Sequence, residues 1–410
     1  MKLCTVAARN ILRNMRRSVL SGLAIAVAAM AITLLFSLLA GMKADLAYNL
    51  QTYVSGEIRV RNPRFTEHET VHPLHFSLDA PRELVDTAAS AEGVSAVAPR
   101  IRFPGSVFVN DETHNAVGIG LDFARERDFQ GIDERLTSGR IPSPGERAAV
   151  LGVGLADELA LGLGDTFTVL TQTATRGSNA MTFEVAGLAR FPVSAFTETH
   201  FLVPLDTARY FLRMPDQLTD LLVKTTGERE AAETASMLES TLRGFSETPL
   251  VAEAWTRLPT SYTFMEIADL AYAIMALFFF VLGSSVIVNT TMMVIYERTR
   301  EIGTLSAMGM EGGQLIRMFF LEAVMIAAAG AAAGVVLGIA VTAPFSVFGL
   351  DMGASFEGMD FEVSNVLYPK INLRSTVFVF VYSVSVAAAA SLLPSWRAAR
   401  ISPAEALRSL

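Results

Sequence analysis

Cysteine and charged residues are both scarce in this sequence. Its 410 residues include one cysteine, Cys4, and 18% charged residues, whereas 51% are hydrophobic and the mean hydropathy is +0.40. A single thiol excludes an intramolecular disulfide, so a folded domain outside the membrane must rely on its own core. A composition this apolar excludes an ordinary soluble protein and predicts a membrane protein.

Nucleotide-binding motifs are absent as well. No Gly-x-x-x-x-Gly-Lys-Ser/Thr sequence occurs, which excludes ATP binding through a P-loop. Residues 118–120 and 152–154 lack the third glycine of a dinucleotide fingerprint, and we interpret both as turns. No serine, cysteine or histidine arrangement suggests a nucleophile, so we expect a non-catalytic chain without a cofactor of its own.

Four apolar segments approach or exceed the length that crosses a bilayer as a helix, about 20 residues. We predict spans at 19–41, 267–296, 318–348 and 375–394. Residues 42–266 have an ordinary globular composition and are long enough for a substantial core, which we expect to form two subdomains. The predicted fold class is therefore a polytopic α-helical membrane protein with four transmembrane helices and a large α+β extracytoplasmic domain between the first and second.

Basic residues flanking the spans predict the orientation of the chain. Five precede the first span with no acid among them: Lys2, Arg9, Arg13, Arg16 and Arg17. Positive charge favours the cytoplasmic side, so we expect the N-terminus there, and four spans return the tail at 395–410 to the same side. Residues 1–18 alternate apolar and basic positions, which is typical of an amphipathic interfacial helix or, equally, of simple flanking charge.

The same orientation places the loop at 297–317 inside, and residues 42–266 and the loop at 349–374 outside. The formal net charge of −8 resides in the outer domain, so we expect no nucleic-acid partner.

The outer stretch mixes two periodicities. Alternating runs predict strands at 57–60, 105–109, 167–170 and 183–185, and helical patterns occur at 81–90, 155–161, 206–213 and 228–243. Residues 173–180, rich in threonine, serine and glycine, predict an exposed loop or hairpin tip.

One segment matches a metal-binding pattern. His68, Glu69 and His72 fit the His-Glu-x-x-His signature of zinc proteases, which needs both histidines on one helix face. Pro73 follows the second histidine directly and disfavours helical geometry there. We therefore reject a catalytic zinc site and interpret the segment as a surface loop, with adventitious metal binding as the lesser alternative.

Two acids lie near or within the spans. Asp269 is at the outer boundary of the second span, and Glu322 is close to the inner end of the third. Because both lie near an interface, we expect them to be solvated, with Arg317 as an alternative partner for Glu322.

Glycines repeat every fourth residue in the third span, at Gly330, Gly334 and Gly338. Small residues at this spacing let helix backbones approach closely, so they predict a packing face against a neighbouring span or a second subunit. The alternative is that glycine and alanine are simply common in membrane helices.

The loop between the second and third spans contains the most informative stretch, ERTREIGTLSAMG, at 297–309. It combines charged positions with an apolar set, Ile302, Leu305 and Met308, and then ends at Gly309. A solvated loop has no reason to keep three large apolar residues on one side of a helix. We expect them to be buried against the membrane or a partner protein.

This stretch and the overall layout resemble the MacB/FtsX-like (type VII) ABC transporter permeases. PSWRAARISPAEALRSL at 394–410 is similar to the ending of that family, and VLGVGLADELALGLGDTFTVL at 150–170 is similar to its periplasmic domain. The opening of the outer domain, GMKADLAYNLQTYVSGEIRV at 41–60, looks most like the lipoprotein-releasing LolC/LolE subfamily.

The resemblance implies a non-catalytic permease in the bacterial inner membrane, with a MacB-like periplasmic domain and a second permease, identical or paralogous, as partner. It implies a separate ATPase dimer that holds ATP and Mg and docks on the loop between spans two and three. The cargo would be lipoproteins or similar amphiphiles taken from the outer leaflet, with a periplasmic carrier as a further partner. The implied coupling residues are Glu297, Arg298, Arg300, Glu301, Ile302, Gly303, Leu305, Met308 and Gly309.

Two other functions stay open within the resemblance. One is MacB-like efflux of peptides or toxins, which needs an outer-membrane channel and an adaptor. The other is FtsX-like signalling, in which the outer domain activates a cell-wall hydrolase without transport.

Overall fold

The computed structural model describes residues 2–69, 72–109, 112–227, 231–245, 249–351 and 366–398. The chain divides into two compact units. The membrane unit comprises Met1–Ala44, Ala268–Asp351 and Leu367–Leu410, and the α+β domain comprises Asp45–Ile267 with Met352–Val366. Most of the predicted loop at 349–374 and of the tail at 395–410 lies outside the described residues.

The helices in chain order are α1 Lys2–Arg13, α2 Met15–Asn49, α3 Pro63–Glu67, α4 Arg82–Ala89, α5 Phe123–Gln130, α6 Ile132–Arg135, α7 Val153–Glu158, α8 Ser194–Thr199, α9 Leu205–Leu212, α10 Ala231–Leu242, α11 Pro259–Glu297, α12 Thr299–Ala307, α13 Gly312–Phe348 and α14 Leu373–Ala398. A π-helical turn at Leu50–Ser55 extends α2, and short 3₁₀ turns occupy Leu74–Phe76 and Trp255–Arg257.

The strands are β1 Ile58–Arg61, β2 Leu78–Asp79, β3 Val94–Val109, β4 Glu112–Leu121, β5 Leu136–Gly139, β6 Ala148–Gly152, β7 Thr166–Gln172, β8 Ser178–Ala189, β9 His200–Pro204, β10 Gln217–Leu218, β11 Asp220–Thr225, β12 Val251–Ala254, β13 Leu350–Asp351 and β14 Val366–Leu367.

Four helices among the described residues are long and apolar enough to cross a membrane: Met15–Ser55, Thr263–Tyr296, Gly312–Phe348 and Leu373–Trp396. The α+β domain follows the first of them, so the predicted fold class is confirmed. The helices extend beyond the predicted spans, since α11 alone has 39 residues and α2 has 35. Hydropathy locates only the apolar part of a helix, whereas backbone hydrogen bonding continues into the flanking polar residues.

The α+β domain is built on a mixed sheet of ten strands. The order is β12-β1-β11-β3-β4-β9-β6-β8-β5, and β7 pairs with both β3 and β8. Two pairs are parallel, β4 with β9 and β6 with β8, and the other pairs of this sheet are antiparallel. The sheet includes a strand at each position where alternation predicts one. The loop predicted at 173–180 contains the turn between β7 and β8 at 173–177, and its last three residues belong to β8.

Aromatic side chains fill the main core of this domain. Phe103, Phe167, Phe183, Phe201 and Phe211 are each at most 2% exposed and have neighbouring ring centroids 5.7–6.4 Å apart. Such stacked, tilted and edge-to-face contacts add to the free energy gained by removing the rings from water. This core lets the domain fold without a disulfide.

Two glycines interpreted as turn residues lie within a strand instead. Gly118 and Gly120 belong to β4, where a side chain at the first would collide with the Phe103 ring and one at the second with Ala208 of α9. The interpretation as a turn was wrong because these glycines serve close packing. Backbone conformation does not require them.

The membrane unit packs through small residues. A side chain at Gly334 would collide with the carbonyl of Ala26 on α2, and the β-carbon of one at Gly330 would lie 2.5 Å from the carbonyl oxygen of Gly22. At Gly338 it would lie 2.9 Å from Thr33. The glycine face of α13 therefore lies against α2, a neighbouring span of the same chain.

Candidate coupling site

The charged stretch between the second and third spans forms a short helix of its own. Helix α11 ends at Glu297, Arg298 leaves the helical conformation, and α12 runs from Thr299 to Ala307. The chain then turns at Gly309, whose φ of +94° strongly favours glycine. This segment, residues 297–309, is called the coupling segment below.

The apolar residues of the coupling segment do not share one environment. Leu305 is half-buried and packs on a cluster formed by Ile295, Leu315, Met318 and Phe319. Met308 is 79% exposed, and the side chain of Ile302 lies outside the described part of the structure, as do those of Glu297 and Arg300. Of the three predicted apolar contacts, Leu305 is thus packed within the chain and Met308 is available to a partner.

The remaining predicted coupling residues differ in exposure. Gly303 is buried, Glu301 is half-buried and Gly309 is exposed. Arg298 is only 1% exposed, although the sequence groups it with the docking residues. Its side chain therefore faces the interior of the membrane unit.

Arg298 pairs there with an acid of the third span. Its Nη1 donates a hydrogen bond to Oε1 of Glu322, which is 3% exposed on α13. The expectations that Glu322 is solvated or pairs with Arg317 were therefore wrong, because Arg317 is exposed and the carboxylate points inward. Asp269, in contrast, is half-exposed and pairs with Lys43 at 2.6 Å.

The buried pair is incompletely satisfied. Among the described residues, Nε and Nη2 of Arg298 and Oε2 of Glu322 have no hydrogen-bond partner. The pair borders a cavity of about 20 Å³ whose polar lining includes Ser21 of α2 and Thr290 and Thr291 of α11. Three membrane helices therefore meet at this pair.

Sequence reasoning missed this pair because its partners are 24 residues apart on different helices. One signal could have found it. Glu322 is the single acid in the otherwise apolar run at 318–326, and an acid in such surroundings needs a buried cation nearby.

A buried polar network surrounds Arg100 in the α+β domain. The guanidinium of Arg100 donates to both carboxylate oxygens of Glu126 at 2.7 and 2.9 Å, and to the carbonyls of Tyr53 and Thr52 at 2.9 and 3.2 Å. These residues are buried, so the network connects β3 to α5 and to the turn that follows α2 within the domain.

A second network contains the predicted metal segment. Glu69 accepts a hydrogen bond from Arg59 at 3.0 Å and forms an ion pair with Nη1 of Arg61 at 2.9 Å, and Nε of Arg61 donates a hydrogen bond to Asp220 at 2.7 Å. Among the described residues, Nη2 of Arg59 and Nη1 of Arg61 have no hydrogen-bond partner. Burial raises the pKa of Asp220, but the nearby arginines outweigh it and hold that pKa below its usual range. Glu69 is the residue whose carboxylate would activate a zinc-bound water in a protease, and here that carboxylate is held in ion pairs with two arginines.

The geometry around this segment differs from that of a zinc helix. Helix α3 ends at Glu67, and His72 has a φ of +44°, outside helical geometry. Residues 70 and 71 of the motif lie outside the described residues. Within the part of the chain that is described, no group of three or more histidine, cysteine or acidic side chains could hold a metal ion.

Four membrane-spanning helices, an α+β domain after the first and a short helix between the second and third define the class of protein, a multi-pass membrane protein with one large α+β domain. Two families have sequence models that match. The MacB-like periplasmic core domain matches residues 18–241, more than half of the chain, and the FtsX-like permease C-terminal domain matches residues 273–403.

This chain therefore belongs to the MacB/FtsX-like family of ABC transporter permeases, as its motifs predict. The permease part of proteins in this family is non-catalytic and works with an ABC ATPase, and the chain is a multi-pass protein of the bacterial inner membrane.

Named relatives fall into two groups. The lipoprotein-releasing system transmembrane protein LolC of Xylella fastidiosa (strain Temecula1) is 26% identical over 86% of this chain and 87% of its own length. LolC of Neisseria meningitidis serogroup B is 23% identical over 80% and 81%. The macrolide export protein MacB of Vibrio parahaemolyticus is 29% identical, but over 31% of this chain and 17% of its own length.

Solved structures match more weakly. The periplasmic region of MacB from Actinobacillus actinomycetemcomitans aligns with 55% of this chain and 97% of its own, at a TM-score of 0.37 and 15% identity. The extracellular domain of YknZ from Gram-positive bacteria aligns with 48% and 98%, at 0.35 and 15%. The family assignment therefore rests on the sequence matches.

Proposed function

We propose that this chain is the permease of an ABC transporter that extracts lipoproteins or similar amphiphilic cargo from the outer leaflet of the inner membrane. The observation that carries the proposal is the extent of the LolC match, which covers 86% of this chain and 87% of that relative. The matches to MacB relatives cover 31% to 50% of this chain and 17% to 30% of those proteins. Because the similarity to LolC extends along both the membrane unit and the α+β domain, it favours a common function and not merely one domain in common.

The proposed mechanism is mechanical. A separate ATPase docks on the coupling segment from the cytoplasm, where the basic N-terminal residues also place both termini. Helix α11 has 39 residues and is about 58 Å long at 1.5 Å per residue, so it exceeds the roughly 30 Å hydrocarbon core. Displacement of the coupling segment by ATP-driven closure of the ATPase pair would thus be carried along one continuous helix.

The proposed partners follow from this mechanism. A second permease, identical or paralogous, completes the membrane assembly, and ATP and Mg bind to the ATPase. A periplasmic carrier receives the extracted cargo, which is too apolar to cross water unaided.

The first experiment is affinity purification of the tagged chain in mild detergent, followed by mass spectrometry. We expect an ABC ATPase and acylated lipoproteins, and the same sample shows whether a second permease is present. An ATPase with an efflux adaptor or a cell-wall hydrolase, and no lipoprotein, would contradict lipoprotein release. Absence of any ATPase would contradict docking itself.

Two alternative functions have specific observations in their favour. The partial matches to macrolide exporters favour efflux, and the FtsX-like domain at 273–403 is compatible with signalling to a hydrolase. A co-purifying adaptor would select the first and a co-purifying hydrolase the second.

Docking has a separate test in the coupling segment. Glu301→Lys reverses a charge on α12, and Gly309→Leu places a side chain at φ +94°, which strains the turn. We expect both to abolish co-purification of the ATPase while the permease remains folded. Gly313→Ala is the control, because nothing lies within 4 Å of its added carbon. Normal complexes with both variants would show that the ATPase docks elsewhere.

A further inference from the structure

Arg298 occupies the joint between two helices. It follows the last residue of α11 and precedes the first residue of α12, and its φ and ψ of −97° and 6° lie outside the helical range. The side chain is 1% exposed, so a docked ATPase cannot reach it. The role of Arg298 must therefore be sought inside the membrane unit.

Arg298 contacts Glu322 through a single hydrogen bond. One guanidinium nitrogen meets one carboxylate oxygen of Glu322, while Nε and Nη2 of Arg298 and Oε2 of Glu322 lack partners among the described residues. A bidentate pair fixes the relative orientation of two groups, whereas a single contact fixes only their distance. Helix α11 can thus rotate about this contact without breaking it.

The surroundings allow such movement. The pair borders the cavity of about 20 Å³, whose lining includes Ser21, Thr290 and Thr291, and Oγ1 of Thr291 also lacks a partner among the described residues. The hydroxyls of Ser21 and Thr290 donate to backbone carbonyls of their own helices, so Thr291 carries the unpartnered hydroxyl beside the pair. The apolar contact of Leu305 with its cluster is non-directional, so it does not impose one orientation on the coupling segment.

We propose that Arg298 and Glu322 form a pivot that holds the α11–α12 joint on α13, so that displacement of the coupling segment turns α11 instead of detaching it. This inference rests on the proposed function, since it needs an ATPase that moves the coupling segment. Both residues act as positioning residues. Neither contacts the ATPase.

The test measures a distance inside the full-length permease in complex with the ATPase that co-purifies with it. In a Cys4→Ser background, spin labels are placed at Ile274 of α11 and Phe345 of α13, both exposed. The distance between the labels is recorded by pulsed electron paramagnetic resonance without nucleotide and after trapping with ATP and vanadate. ATP hydrolysis is measured on the same samples.

We expect Glu322→Gln to keep the bound ATPase and its hydrolysis but to lose the nucleotide-dependent change in distance. The exchange of both charges, Arg298→Glu with Glu322→Arg, restores that change, which a defect in folding would not allow. Asp269→Asn removes the half-exposed pair with Lys43 on the same helix and serves as the matched control, with the distance change retained.

Three results would overturn the pivot. The first is a nucleotide-dependent change in label distance that survives in Glu322→Gln. The second is a charge-exchanged protein in which that change is not restored. The third is a wild-type protein that binds the ATPase but shows no change in label distance. Failure of the proposed function is a distinct result, because no ATPase would then co-purify with the wild-type chain.

Discussion

Two buried arginines, one in each unit, show how differently the units are built. Arg100 in the α+β domain is 3% exposed and Arg298 in the membrane unit is 1% exposed, and each pairs with a buried glutamate. Arg100 makes four hydrogen bonds through all three of its nitrogens, whereas Arg298 makes one. A saturated network fixes a structure, while a single contact leaves rotation possible. The comparison indicates a fixed position for Arg100 and an adjustable joint at Arg298.

The two units also differ in the side chains that form their apolar cores. The core of the α+β domain contains five interlocking phenylalanine rings, while the buried core of the membrane unit combines isoleucine, valine and alanine side chains, and the glycine face of α13 contacts α2. In water the gain from burial grows with apolar area, so large rings are favoured. In lipid there is no such gain, and association depends on close approach of small residues.

The largest expected effect is at Arg100. Arg100→Gln leaves Glu126 buried without a cation, and removing one partner of a buried pair costs about 3–5 kcal/mol. We expect a large drop in the thermal unfolding temperature of the α+β domain, measured by proteolysis of the detergent-purified protein at increasing temperature. Arg298→Gln likewise leaves the buried Glu322 without a cation, but we expect a smaller drop in the corresponding temperature of the membrane unit, because one hydrogen bond is lost instead of four. Equal losses would remove the contrast between the two arginines.

The second effect tests close packing in lipid. Gly334→Val forces α13 away from the carbonyl of Ala26, and overpacking of this kind costs about 1–3 kcal/mol. We expect earlier aggregation on heating, measured by size-exclusion chromatography, whereas Gly313→Ala should match the wild-type protein. An unchanged profile for Gly334→Val would mean that α2 and α13 do not pack through this face.

A third, smaller effect concerns exposed pairs. Arg127 and Asp133 lie 2.8 Å apart with both side chains more than half exposed. Arg127→Gln should change the stability of the α+β domain by no more than about 1 kcal/mol, since water and salt screen such pairs. A loss as large as that of Arg100→Gln would show that bond distance, and not burial, determines the cost.

The smallest effect is a dependence on pH. The hydrogen bond from Arg140 lowers the pKa of Glu146 from 4.5 to about 2 in the folded domain. A carboxyl group with a depressed folded pKa stabilises the domain above pH 4.5, and this contribution is lost as the pH falls toward 2. We expect unfolding curves measured at pH 6 and pH 3 to differ more for the wild-type protein than for Arg140→Gln. Identical differences would contradict the role of this pair.

Local patterns were sufficient for much of the fold. The four membrane helices follow from long apolar runs, and the α+β composition of the domain follows from two periodicities that each depend on neighbouring residues. Sheet order was beyond reach, because β1 lies between β11 and β12, strands that follow it by more than 150 residues. Such pairings depend on contacts that no local window contains.

In the coupling segment, too, some properties of single residues follow from local sequence and others depend on long-range contacts. Its amino-acid sequence alone determined a short polar helix between two spans, since charge in an apolar chain and the glycine at 309 are local properties. Only the tertiary structure decided that Leu305 packs inward, that Met308 is exposed and that Arg298 turns toward Glu322. The physical reason is that burial and ion pairing depend on which helices meet, and α11 and α13 meet through long-range packing.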